Sequence, residues 1–124
     1  MPQTSEQVEQ RLSSERNIWL ATMRPNGAPH LIPIWFVSHE GRLFICTDPK
    51  SVKVRNLERN PSVALALENG TSPVILEGTA RVLPSAEAPA EVISLFKFKY
   101  DWAILESEQY AVVLEVTPAK QLSW

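Results

Sequence analysis

The chain is predicted to be mainly β with flanking helices, an α+β domain built on a small antiparallel barrel. Three observations lead there. Six or seven short runs of β-favouring residues recur along the chain. Neighbouring runs are joined by hairpin-type turns, among them Pro25-Asn26-Gly27, His39-Glu40-Gly41-Arg42 and Asn69-Gly70-Thr71-Ser72. Only two or three short stretches carry helical spacing, too few to cover both faces of a parallel sheet. At 124 residues, 44% hydrophobic and 21% charged, the chain suits a single domain over residues 1–124 with one core.

In chain order, Thr4 or Ser5 can cap a first helix that reaches about Ser14, with Val8 and Leu12 as its thin apolar seam. Residues 17–24 form a strand, and the following turn returns the chain into a second strand, residues 29–38. This strand is apolar on both sides, with Leu31, Pro33, Trp35 and Val37 on one and Ile32, Ile34 and Phe36 on the other. It must therefore be covered twice, either by a ligand ring or a partner subunit, or by this chain's own helices. Pro33 cannot donate to a ladder, so it marks an edge, a bulge or the point where the strand leaves its neighbour. Residues 43–47 complete a meander. Two further strands follow at residues 62–68 and 73–83, the second bent at Gly78. A helix over residues 85–100, the loop residue Trp102, a last strand at 110–116 and docked Leu122 and Trp124 complete the chain.

Between the third strand and residue 61 lies the most informative stretch. Thr47-Asp48-Pro49 leads into a helix carrying Lys50, Lys53, Arg55 and Arg59, in a chain of net charge -2. Asp48 reads as its N-cap and Pro49 as its first residue. A strand running into a helix start offers unpaired N–H groups and a positive dipole end. With Val54 and Leu57 buried, Lys53 sits near the first turn with the Thr47 and Ser51 hydroxyls, where charge-assisted hydrogen bonds could hold a phosphate. The alternative is a solvated basic helix whose Lys stems cover apolar surface.

Other chemistries lack their residues. A net charge of -2 and a pI near 5.7 do not suit general nucleic-acid or anionic-membrane binding, and no base-stacking barrel fits the single basic patch. Cys46 is the only cysteine, so no internal disulfide forms, and no Cys/His set is spaced to hold zinc. Four scattered glycines contain no GxGxxG motif or P-loop. No Ser/His/Asp or Cys/His set for acid–base work is visible, so catalytic residues are unassigned. Of the two histidines, His30 and His39, the first opens the second strand and reads as a solvated strand-end residue, with a place facing a ligand cleft as the alternative, and the polar N-terminus reads as cytoplasmic. Four Trp residues leave much flat apolar surface to bury, which favours a homodimer.

The ordered segments ATMRPNGAPHLIPIWF, GRLFICT, KSVKVRNLERNPSVALAL and LEGTARVL resemble the flavin-binding split-barrel superfamily typified by pyridoxamine 5'-phosphate oxidase. The likeness is greatest to small members that lack the oxidase's C-terminal extension. It covers residues 20–83, and its most specific piece is Lys53-Val54-Arg55-Asn56-Leu57 followed by Asn60-Pro61. The resemblance implies an antiparallel split β-barrel of the FMN-binding type, a homodimer with two cofactor clefts at the subunit interface, and hydride transfer through the isoalloxazine ring. It implies that Ile32, Pro33, Ile34 and Trp35 lie against the ring and ribityl chain, largely through backbone. Cys46, Thr47, Ser51 and Lys53 fall where the family places its phosphate cradle.

The family pattern is departed from in four places. Ile32 and Val52 stand where the oxidase has two Arg residues, Val37 where it has a substrate-binding Lys, and Pro73 where it has a Gln. The oxidase's terminal Arg and His have no counterpart before Trp124. These gaps imply a small-molecule substrate other than pyridoxamine 5'-phosphate. They also remove two charge-assisted bonds from the cradle, each worth about 1.5–3 kcal/mol, unless Lys50 compensates. Two alternatives stay open on the same fold, a deazaflavin-dependent reductase and a flavin- or haem-binding module without turnover.

Overall fold

In the computed structural model, which describes residues 2–124, the chain runs α1 (Ser5–Ser14), β1 (Ile18–Met23), β2 (Pro29–Ile34), β3 (Val37–His39), β4 (Arg42–Thr47), α2 (Val52–Arg59), β5 (Ser62–Leu67), β6 (Val74–Pro84), α3 (Ala90–Tyr100) and β7 (Val112–Ser123). Short 3-10 turns at Ser85–Glu87 and Ile104–Glu106 flank α3. No described helix is long and apolar enough to cross a membrane.

Local chemistry accounts for most element ends. Thr4 and Gln7 form a reciprocal capping box at α1, each side chain taking the other's backbone N–H at 3.1 and 2.8 Å. His39 pairs with Arg42 across the two-residue turn Glu40-Gly41, whose φ values of 49° and 77° suit the twist of the flanking strands.

All seven strands join one antiparallel sheet in the order β2-β1-β5-β6-β7-β4-β3. Its two edges, β2 and β3, are separated in sequence only by Trp35 and Phe36. A sheet whose opposite edges are covalently this close must coil until they meet, which makes a barrel with a seam. The single strand expected over residues 29–38 is therefore two, one paired with β1 and the other with β4. The ladder is left just beyond Pro33, as its missing N–H foreshadows.

The seam is pinned by α3. Phe36 is fully buried, so its backbone groups need protein partners once they leave the ladder. The Tyr100 hydroxyl accepts from the Phe36 N–H at 3.0 Å and shares its proton between the carbonyls of Phe36 and Arg16, at 2.9 and 2.7 Å. Lys99 Nζ also donates to the Phe36 carbonyl, at 2.8 Å. Trp35 stacks on the Tyr100 ring with centroids 4.4 Å apart.

Two apolar clusters follow from strand alternation. Inward residues of the barrel, including Ile18, Leu20, Phe36, Leu43, Ile45, Leu65 and Leu76, pack with Val8 and Leu12 of α1 and Val54 and Leu57 of α2. On the outside, Val37, Phe44, Cys46 and Val113 are covered by Val92, Phe96 and Tyr100 of α3. The outer face of β2 and β1 has no such cover, and Trp19, Met23 and Leu31 are exposed there.

Three expectations need correction. The helix predicted from residue 85 is interrupted, because Pro89 forces Ala88 to an extended ψ of 149° and α3 starts only after it. The last strand is longer than residues 110–116. It passes Pro118 through a register shift opposite Glu77 and Gly78 and continues to Ser123. Trp124 is 62% exposed rather than docked, although its carbonyl accepts from Gln3 Nε2 at 3.3 Å.

Gly78 is required where the long strands cross, since a Cβ there would stand 2.2 Å from the Thr117 carbonyl oxygen. Gly78→Ala is expected to lower stability by about 1–3 kcal/mol through overpacking, read as a drop in Tm. Tyr100→Phe leaves the Phe36 N–H without its partner. A loss of about 1–3 kcal/mol in urea unfolding at an unchanged m-value is the expected result.

Candidate functional site

The seam opens into a cleft of about 580 Å³, within the range typical of cofactor pockets. Its floor comes from Ile34 and Trp35 at the end of β2 and from Cys46 and Thr47 at the end of β4. Lys53 of α2 enters from one side. Tyr100, Asp101 and Trp102, where α3 ends, and Tyr110, ahead of β7, form an aromatic wall. Trp102 meets Trp35 and Tyr110 edge to face, with centroids 6.0 and 5.7 Å apart.

Five of the nine candidate cofactor residues, Ile34, Trp35, Cys46, Thr47 and Lys53, line this one cleft. Ile32 points inward beside Ile34, whereas Pro33 lies on the outer face. The strand β2 pairs only with β1, so the backbone of its other edge is free of the ladder. Lys50 is exposed in the turn before α2 and does not line the cleft. Ser51 is the N-cap of α2, and its Oγ is buried without a hydrogen-bond partner.

The helix start differs from the expected one. Asp48 does not cap α2: its carboxylate accepts from the Lys50 N–H at 2.8 Å and from Gln109 Nε2 at 3.3 Å. These bonds, the Lys50 one first, hold its pKa below the usual carboxylate value. An Asx turn thus takes the acid that would have competed for the α2 donors. With no side-chain cap present, the first-turn N–H groups of α2 remain available.

Burial sets the electrostatics. Desolvation lowers the Lys53 pKa, with Asp48 partly opposing it. The Cys46 thiol is pushed up to about 11 by burial, against a smaller opposing contribution from Ser85. It stays protonated at neutral pH and packs as a small apolar group. Lys99, beside the pinned seam, is lowered to about 8 by burial and by Arg16. The arrangement can take a flat ring against the seam and an anion at Lys53.

Some site residues were less legible in the sequence. Asp101 and Tyr110 carry no local pattern that ties them to the cleft. Asp101 ends α3 in the left-handed region, φ 53°, a conformation Asp tolerates better than most residues. Trp124 is not among the cleft-lining residues. Among the described residues no group of three or more His, Cys, Asp or Glu could hold a metal ion.

Solved structures share this architecture. A conserved hypothetical protein from Mycobacterium tuberculosis is 26% identical, with a TM-score of 0.82 over 98% of this chain and 84% of its own. An F420 reductase is 24% identical, with a TM-score of 0.75 over 92% and 94%. The haem storage protein HutZ from Vibrio cholerae is 19% identical, with a TM-score of 0.80 over 96% and 93%. No curated protein matches the sequence. The family model described as pyridoxamine 5'-phosphate oxidase matches residues 4–124, and with nearly the whole chain matched, this protein belongs to that family.

Proposed function

We propose that this protein binds FMN in the seam cleft and acts as a flavin-dependent oxidoreductase on a small molecule. The observation that carries the reading is the pairing, in one cleft, of a flat aromatic wall with a half-buried Lys53 at an uncapped helix start. The unpartnered Ser51 Oγ fits a phosphate oxygen, and the free edge of β2 fits the hydrogen-bonding rim of an isoalloxazine. Ile32, Pro33, Ile34 and Trp35 would orient the ring, while Cys46, Thr47, Lys50, Ser51 and Lys53 would surround the phosphate end.

Bound flavin would supply hydride transfer, and the protein binding, orientation and electrostatics. Lys53 and Ser51 anchor the tail, and Trp35, Tyr100 and Trp102 exclude water from one side of the ring. Pyridoxamine 5'-phosphate is disfavoured as substrate. Val37, which stands where the resemblance puts a substrate-binding Lys, is 2% exposed beneath α3. The same cleft would accept a deazaflavin, in keeping with the F420 reductase among its structural neighbours. Haem fits it less well, because Cys46 stays protonated, the Tyr100 hydroxyl is engaged with backbone, and neither histidine lines the cleft.

The bare outer face of β1 and β2 fits a second copy of the chain. Trp19, Met23 and Leu31 form an apolar patch there, on a chain that covers its other outer face with α3.

Purified protein is expected to bind FMN with absorbance near the usual flavin band and to bleach with a reduced nicotinamide. A parallel titration with F420 separates the two coenzymes, and failure to bind either would overturn the reading. Lys53→Ala should weaken FMN binding roughly 10- to 150-fold, the loss of one charge-assisted hydrogen bond, with riboflavin binding little changed. In sedimentation the native protein is expected at twice the chain mass of 13.9 kDa. Leu31→Glu, at a side chain 61% exposed in the single chain, should return it to one chain mass with the fold intact.

A further inference from the structure

His30, expected as a solvated strand-end residue, occupies a different environment. It lies on the inward side of β2 directly opposite Thr22 of β1. Thr22 Oγ1 accepts a 2.9 Å hydrogen bond from Asn56 Nδ2, which ties this end of the strand pair to α2. The imidazole therefore stands on the α2 side of β2. Its Nδ1 is buried and has no hydrogen-bond partner. At the start of the same helix, Ser51 Oγ is buried and unpartnered as well.

The charges that reach His30 are both positive. Arg24 contributes from the end of β1 and Lys53 from the first turn of α2, and no carboxylate is among them. Burial first, then these two cations, hold the imidazole below its usual value of 6.5, so it is neutral at pH 7. A neutral ring with an idle buried nitrogen, within electrostatic reach of two cations, has a natural complement in an anion. Arrival of a dianion would reverse the sign of the local field and favour the imidazolium, which donates from both nitrogens.

We propose that His30 is a further ligand for the phosphate at the α2 start, taking one proton from solvent as the dianion binds and replacing one positive partner absent at Ile32 and Val52. This rests on the coenzyme reading above. It adds a residue to the cradle and links coenzyme affinity to pH. The linkage has one sign: His30 is neutral in the free site and charged in the bound one, so phosphate binding strengthens as pH falls through the bound-state midpoint.

The chain has only two histidines, His30 and His39, so their imidazole resonances can be followed separately by NMR. With FMN or inorganic phosphate added, the His30 midpoint is expected to rise by about one unit or more while His39 stays in place. FMN affinity of the native protein should tighten about tenfold between pH 8 and pH 6, relative to His30→Gln measured identically. That comparison removes the titration of FMN itself, and riboflavin should show no difference between the two proteins.

A His30 midpoint unmoved by both anions would overturn the proposal, as would His30→Gln binding FMN with native affinity and pH slope. Should FMN bind while His30 is indifferent, the coenzyme reading stands and the His30 role falls. Should phosphate move His30 while no flavin binds, the anion role stands without the coenzyme. The NMR titration uses the native protein, so the result does not depend on the variant folding.

Discussion

The structure turns on the backbone of one residue, Phe36. It lies where a single apolar stretch leaves one edge of the sheet and joins the other, and it is fully buried. Neither ladder can satisfy its N–H and carbonyl, and burying them unpaired would cost about 1–3 kcal/mol each. The hydroxyl of Tyr100 and the ammonium of Lys99 supply the missing partners from the end of α3. Closure of the barrel, placement of α3 and position of the cleft are thus one arrangement: the helix that satisfies the seam also presents Tyr100, Asp101 and Trp102 to the cavity.

The cleft draws its positive charge from one desolvated base, Lys53, with Lys99 outside it at the pinned seam. Lys53 and Lys99 are half buried and shifted below the usual lysine value chiefly by burial. Asp48, the acid just ahead of the basic helix, is occupied by its own turn and by Gln109. Lys53 remains as the cation lining the cleft, while the cleft's own carboxylate, Asp101, is paired with Lys97 at 2.6 Å.

The two outer halves of the barrel are treated differently. Beneath α3, Val37, Phe44 and Val113 are sealed, with little exposed area left among them. Across the barrel, Trp19 and Leu31 on paired strands face solvent in the isolated chain. The same strand, β2, contributes to the bare face and to the cleft on its other side, so whatever covers one would influence the other.

Sequence by itself determined the local structure. Hairpin turns, strand alternation, the α1 capping box and the Val54-Leu57 stripe each depend on residues a few positions apart, and each reads directly from the chain. It also raised the expectation of an anion near Lys53, Thr47 and Ser51, because a basic helix following a strand is a local pattern. Pro89 and Pro118 show the limit even of local reading: the first breaks a helix that periodicity alone would continue, and the second is tolerated only because a bulge opposite Gly78 absorbs it. Tertiary structure alone decided the division of the second strand at Trp35-Phe36, the recruitment of Asp101 and Tyr110 to the cleft, and the withdrawal of His30 Nδ1 from solvent. These depend on contacts between distant residues, 64 positions apart for Tyr100 with Phe36 and 34 for Thr22 with Asn56. No periodicity in the chain records which distant hydroxyl will meet an orphaned backbone group.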